Sequence, residues 1–179
     1  MRVEVAEVKL KRGNRVKFDF CEAWSELRVG GERIPLTEPV SVEGEITNTG
    51  KFLSLKGRVS TTLQLRCNRC LEAFSQVIDV PLGEEYCTPS VYASLPPGDE
   101  LRDEVRVYEG DSIDVGPVVE QALILALPMK WVCRDECLGL CPYCGQNLNE
   151  QGCHCRPQDI DPRLEVLARL LAREKKGGL

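Results

Sequence analysis

The chain has 179 residues, 42% hydrophobic and 28% charged, the proportions of one soluble domain or of one domain with a small appendage. Its 28 acidic residues outweigh 23 Lys and Arg for a formal net charge of -5, so the chain lacks the overall basic excess that marks non-specific nucleic-acid binders. The longest apolar stretch, residues 122–127 with Val118 and Val119 just upstream, falls well short of the roughly 20 residues needed to cross a bilayer, and no membrane partner is expected.

The first 15 residues alternate charged and apolar side chains without an apolar h-region, so no secretory signal is read and a cytoplasmic location is expected. Val3, Val5 and Val8, with Phe18 and Phe20, suggest strands near the N-terminus. Lys9, Lys11, Arg12, Arg15 and Lys17 form the densest basic patch, and Arg173, Lys175 and Lys176 a smaller one; solvated strand and tail ends account for both equally well. Val40, Val42 and Ile46 alternate, Asn48-Thr49-Gly50 supplies a turn, and from Leu53 to Cys67 apolar or small residues take every second place. A period of two means a strand with one buried face, so this region reads as a β-hairpin. Phe74, Ile78, Val80 and Leu82 continue the pattern, which puts Cys67-Asn68-Arg69-Cys70 at a turn between two strands.

Residues 88–100 carry Pro and Gly with little periodicity and read as a surface loop, with a short strand at Val105 and Val107 beyond. Gly116-Pro117 and the apolar run behind it predict a helix over 116–127, stopped by Pro128 and buried against the sheet. Asp161-Pro162 caps a final helix over 161–174, whose Leu164, Leu167, Ala168 and Leu171 make one stripe. The expected fold is α+β: an antiparallel β-sheet in the N-terminal half with a buried helix (1–132), a small Cys-rich zinc-binding segment (133–157) and a C-terminal amphipathic helix.

Ten cysteines are the informative excess. In a reducing compartment disulfides are disfavoured, so metal ligation or redox chemistry takes precedence. Cys21 and Cys87 stand alone and read as small, partly buried residues. The other eight form close pairs: Cys67 and Cys70, Cys133 and Cys137, Cys141 and Cys144, Cys153 and Cys155. Cys141-Pro142-Tyr143-Cys144-Gly145 has the spacing of a zinc knuckle, where two thiolates converge on one ion and amides of the tight turn donate to the sulfurs. The pattern predicts structural zinc in two sites of four cysteines. One is local, from Cys141, Cys144, Cys153 and Cys155. The other clamps the hairpin end to the knuckle region through Cys67, Cys70, Cys133 and Cys137. Two alternatives stay open: Cys133 and Cys137 pairing with Cys141 and Cys144, or His154 replacing a neighbouring thiol.

The spacings do not match the ferredoxin run of an iron–sulfur protein. Strand-like residues on both sides of Cys67-Cys70 disfavour a thioredoxin-type redox pair. A single histidine leaves little acid–base chemistry, the deaminase motif is incomplete, and no nucleotide-binding or hydrolase motif is present, so no catalyst and no small-molecule substrate are expected.

Residues 42–74, 112–133, 137–155 and 161–170, in that order, resemble the YceD family, the bacterial family of domain of unknown function 177. Its C-x-R-C element matches Cys67, Arg69 and Cys70. Its later element matches Cys133, Cys137, Gly139, Leu140, Cys141, Pro142, Cys144, Gly145, Asn147, Leu148 and Asn149. The resemblance implies a non-enzymatic role in making the large ribosomal subunit, supporting accumulation of 23S ribosomal RNA, and an association with a small large-subunit ribosomal protein. Expected partners are therefore ribosomal RNA or a large-subunit ribosomal protein. Arg58 and Arg66, on the polar side of the strand leading to Cys67, with Arg69 in the turn, are the candidate RNA contacts; a solvated sheet face is the plainer reading. A zinc-stabilised protein–protein adaptor without a ribosomal role is the competing function.

Overall fold

The structure is a computed structural model and describes residues 1–155. Strand β1 (Arg2–Glu4) leads through the one-turn helix α1 (Ala6–Lys9) to β2 (Arg15–Glu22), then to β3 (Glu26–Val29) and β4 (Glu32–Pro35). Three long strands follow, β5 (Val40–Asn48), β6 (Leu53–Arg66) and β7 (Ala73–Cys87). Helices α2 (Pro89–Ser94) and α3 (Leu101–Glu104), strands β8 (Val105–Val107) and β9 (Ser112–Asp114), and helix α4 (Gly116–Ala126) complete the order. The main sheet runs β2-β5-β6-β7-β8, antiparallel except for the parallel β7-β8 pair, while β1 pairs with β9 and β3 with β4.

The described residues are thus mostly β with few short helices, and the expected C-terminal helix over 161–174 lies outside them. Three local expectations need correction. Val8 sits on α1, not in a strand. The loop expected over 88–100 holds α2, started by Pro89 in its first turn, a signal masked by the Pro96-Pro97-Gly98 run that follows. Helix α4 buries only Val118, Val119 and Leu123, and leaves Leu125 75% exposed. The β3-β4 hairpin, which had no sequence-level assignment, turns on Gly30 and Gly31, both at positive φ, a two-residue glycine turn that matches the twist of its strands.

Period-two patterning sets the core. Val40, Val42 and Ile46 of β5 and Leu53, Leu55, Val59, Leu63 and Leu65 of β6 point to one face, where Val115, Val119 and Leu123 meet them in one cluster. Burying each such side chain contributes about 1.5–3 kcal/mol. Asn48 pins the β5-β6 turn: its amide donates to the Val8 and Lys9 carbonyls, and its Oδ1 accepts from the Gly50 N–H, whose φ is +119°.

β6 and β7 pair without a break from Leu53 opposite Tyr86 to Arg66 opposite Ala73. β5 accompanies β6 only as far as Ser60. The distal part, Thr61–Arg66 with Ala73–Ile78, is an arm without β5, braced at its base where Thr61 and Thr62 hydroxyls donate to Glu38, the Thr37 N–H donates to the Thr62 carbonyl and Leu36 bridges to Leu63; past that bridge it is two-stranded. Isolated two-stranded ribbons are marginal in water. The tip of this arm needs something else to hold it.

Gly44 and Gly57 face each other across β5 and β6. A Cβ on Gly57 would sit 2.4 Å from the Glu43 carbonyl oxygen, whereas one on Gly83 meets open space. Gly57→Ala is therefore expected to cost about 1–3 kcal/mol of overpacking, read as a lowered denaturant midpoint, with Gly83→Ala close to wild type.

Candidate metal centres

The tip of the arm is a knuckle. The Cys67 N–H donates to the Glu72 carbonyl (2.8 Å), and the Cys67 carbonyl accepts from the Leu71 N–H (2.9 Å). Leu71 takes φ +63°, alone among the described non-glycine residues in having positive φ. The same wiring recurs at Cys141, whose N–H donates to the Gln146 carbonyl (2.8 Å) and whose carbonyl accepts from Gly145 at φ +75°. Both C-x2-C loops fold alike because the fourth residue after the first cysteine turns left-handed. The second knuckle uses glycine there, for which that turn carries no Cβ penalty.

From α4 the chain runs back along the arm, and the Asn68 N–H donates to the Trp131 carbonyl at 2.7 Å. This delivers Cys133 and Cys137 to the tip. The Cys67 and Cys137 sulfurs lie 3.9 Å apart and those of Cys70 and Cys133 3.7 Å apart. All four Sγ atoms stand within 4.8 Å of one another. A tetrahedral ion with bonds of ~2.3 Å to sulfur places its ligand atoms ~3.8 Å apart, so this spacing suits one ion. A second set, Cys141, Cys144, Cys153 and Cys155, meets the same limit. Cys133 and Cys137 stand with the hairpin cysteines, not with Cys141 and Cys144, and the exposed His154 belongs to neither set.

Within the first set, burial works to raise the Cys67 thiol, but backbone N–H groups of Cys70, Cys133 and Arg69 outweigh it and hold the group at about 6. Burial and the adjacent sulfurs push Cys133 up to about 12. Cys137 is lowered: burial opposes ionisation, while the Asn149 amide (3.4 Å) and the Gly139 N–H favour the thiolate. In the second set, N–H groups of Cys144 and Tyr143 lower Cys141 to about 6. Cys155 is pushed up to about 12 by hydrogen bonding with the Cys144 sulfur and by burial. Crowded thiols cannot all ionise: once one has lost its proton, its neighbours hold theirs more tightly. A bound cation removes that conflict and lets four thiolates coexist.

The two sets are joined by only Leu138-Gly139-Leu140. Gly139 turns at φ +75°, where a Cβ would lie 3.0 Å from the Arg69 carbonyl oxygen. The Leu140 N–H donates to that carbonyl, and the Leu148 N–H donates to Gly139. Asn149 accepts from the Leu138 N–H while its amide reaches the Cys137 sulfur. Asn149 thus fixes a sulfur of the first set from a loop of the second, a second-layer contact that cysteine spacing could not reveal although Asn149 lies in the family element.

The three arginines are placed differently. Arg66 is exposed on the arm. Arg58 is ion-paired to Asp79 at 2.9 Å. Arg69 Nη1 donates to the carbonyls of Asp135 and Cys137, each at 3.0 Å, tying the knuckle to the Cys133–Cys137 loop. Cys87 is buried and Cys21 exposed. Among the described residues no helix is long and apolar enough to cross a membrane.

Fold and site together define a mostly β protein whose hairpin tip and adjoining loop carry two four-cysteine clusters suited to metal ions. The chain belongs to the YceD family: the profile of the large ribosomal RNA subunit accumulation protein YceD matches residues 55–171. It is 28% identical to the uncharacterized protein YlbN of Bacillus subtilis over 159 residues, covering 88% of this chain and 89% of that one. It is 30% identical over 177 residues to an uncharacterized protein of Mycobacterium tuberculosis, covering 97% of this chain and 83% of the relative. A chloroplastic large ribosomal RNA subunit accumulation protein YCED homolog 1 of maize is 29% identical over 147 residues, 68% of this chain and 50% of that protein. No solved structure matches. The names of the family and these relatives indicate no enzymatic activity.

Proposed function

We propose that the protein is a non-enzymatic binding module, stabilised by two zinc ions, that supports 23S ribosomal RNA accumulation during large-subunit biogenesis in the cytoplasm. The observation that carries this reading is the closure of both clusters. Each brings four sulfurs within 4.8 Å of one another, a donor set suited to zinc that leaves no position for a reacting water. Such sites shape surfaces. The family name supplies the ribosomal context.

Ribosomal RNA or a large-subunit ribosomal protein is the partner, and the arm end is the docking face. There Arg66 is an exposed cation; Arg58, further back on the same strand and outside the arm, is available by exchanging Asp79 for a phosphate. Arg69 serves mainly to hold the centre together, so its loss acts through shape. Depletion of the protein is expected to lower the ratio of 23S to 16S ribosomal RNA and to deplete free large subunits in a sedimentation profile. Wild type should restore both and Arg66→Ala only partly. An unchanged ratio under full depletion rejects the ribosomal role and leaves the adaptor reading.

A further inference from the structure

β2 is an edge of the main sheet, paired with β5 on one side only. The Asn48 N–H donates to the Asn14 carbonyl. By the alternation of an antiparallel ladder, Val16, Phe18 and Phe20 then turn their peptide groups toward β5, while Arg15, Lys17, Asp19 and Cys21 turn theirs outward. Among the described residues nothing bonds to those outward groups. Val16, Phe18 and Phe20 are only half-buried at the rim of the core, the two rings 5.5 Å apart. The rim is incompletely covered.

The charges along this edge carry a further clue. On the outer face Lys17 lies opposite Glu45, a favourable pair, but Asp19 lies opposite Glu43, and like charges directly opposed destabilise a sheet. Asp19 therefore has no cation directly across from it on its partner strand. Natural edges are usually blunted by bulges, prolines or charges; β2 carries no proline, its single core-side charge is Glu22 at the strand's end, ion-paired with the N-terminus, and its outer-face charges alternate in sign between Lys17 and Asp19.

We propose that two copies of this chain join edge to edge along β2, antiparallel, about a two-fold axis through Phe18. In that register Lys17 faces the second copy's Asp19 twice, and Val16 faces Phe20 twice. Phe18 meets its own counterpart as a non-hydrogen-bonded pair, where side chains approach closest. Shifting the axis to Lys17 sets lysine against lysine. Shifting it to Asp19 sets aspartate against aspartate. The strand is thus self-complementary in the Phe18 register, which favours a second copy over an unrelated extended segment, and the isologous contact closes as a dimer.

Sedimentation of the full-length, metal-loaded protein over a concentration series tests this. Wild type is expected to be dimeric. Lys17→Asp or Asp19→Lys alone should weaken the dimer by at least about tenfold while circular dichroism stays unchanged. The double exchange, which restores both pairs in reverse, should recover it. A wild-type monomer at the highest concentration overturns the proposal, as does a dimer indifferent to both single reversals or one that the double exchange fails to restore.

Discussion

Replacing Cys67 with serine is expected to lower bound metal from about two ions per chain to about one and to loosen the distal arm. The arm is two strands wide beyond the Leu36–Leu63 bridge, and its tip carries the cluster of Cys67, Cys70, Cys133 and Cys137. Binding energy at a closed thiolate site is folding energy, on the order of 10 kcal/mol in isolated zinc-finger peptides. Losing one ligand here should therefore cost about 4 kcal/mol or more, a size reserved for effects such as the loss of a structural metal. Amide exchange should quicken through Thr61–Ile78 and stay slow in the proximal parts of β5 and β6, whose core residues Val42, Ile46, Leu55 and Val59 are 0–1% exposed. Cys144→Ser should remove one ion and leave arm exchange nearly unchanged. Equal acceleration in both variants would show that the two centres are not separable in this way.

Chelation is expected to strip the ions in two phases. Cys144 and Cys155 are exposed, whereas Cys67, Cys70 and Cys137 are 0–4% exposed. A strong chelator should take the ion of the second cluster quickly with little change in far-ultraviolet dichroism. The first cluster should release its ion slowly, together with the arm. Acid should do the same in the same order. The metal-free clusters retain protons on groups such as Cys133 and Cys155, both pushed up to about 12, so at neutral pH the empty state binds more protons than the filled one. Affinity therefore rises with pH and falls as pH drops, and filling releases protons. Ion retained after dialysis through a pH series checks the sign, and a single-phase release would contradict the assigned order.

Much of the sheet was legible because its strands bury one face. Leu53 to Leu65 alternates so regularly that pairing, turn and tip position follow from period alone, and Asn48-Thr49-Gly50 marks the turn. Short elements were harder to read for the same reason inverted: Val105 and Val107 marked β8, but β9, with three residues, is too short to show a period. The parallel pairing of β8 is a tertiary fact. At the clusters, spacing suggested which sulfurs could share an ion, but grouping depends on the return path beside the arm, set by the Asn68–Trp131 bond. Leu71 at positive φ was invisible, since leucine gives no sign of a left-handed turn. Arg69 looked like a surface cation because its partners are backbone carbonyls of a segment far away in the chain.

The separation between the two halves of the first cluster bears on how the protein is made. Cys67 precedes Cys137 by 70 residues and Cys70 precedes Cys133 by 63, which at ordinary synthesis speeds is roughly 3 to 14 s of elongation. Throughout that interval the nascent hairpin ends in two unshared thiols, open to oxidant or stray copper. The second knuckle, whose sulfurs are all close in sequence, has no comparable wait.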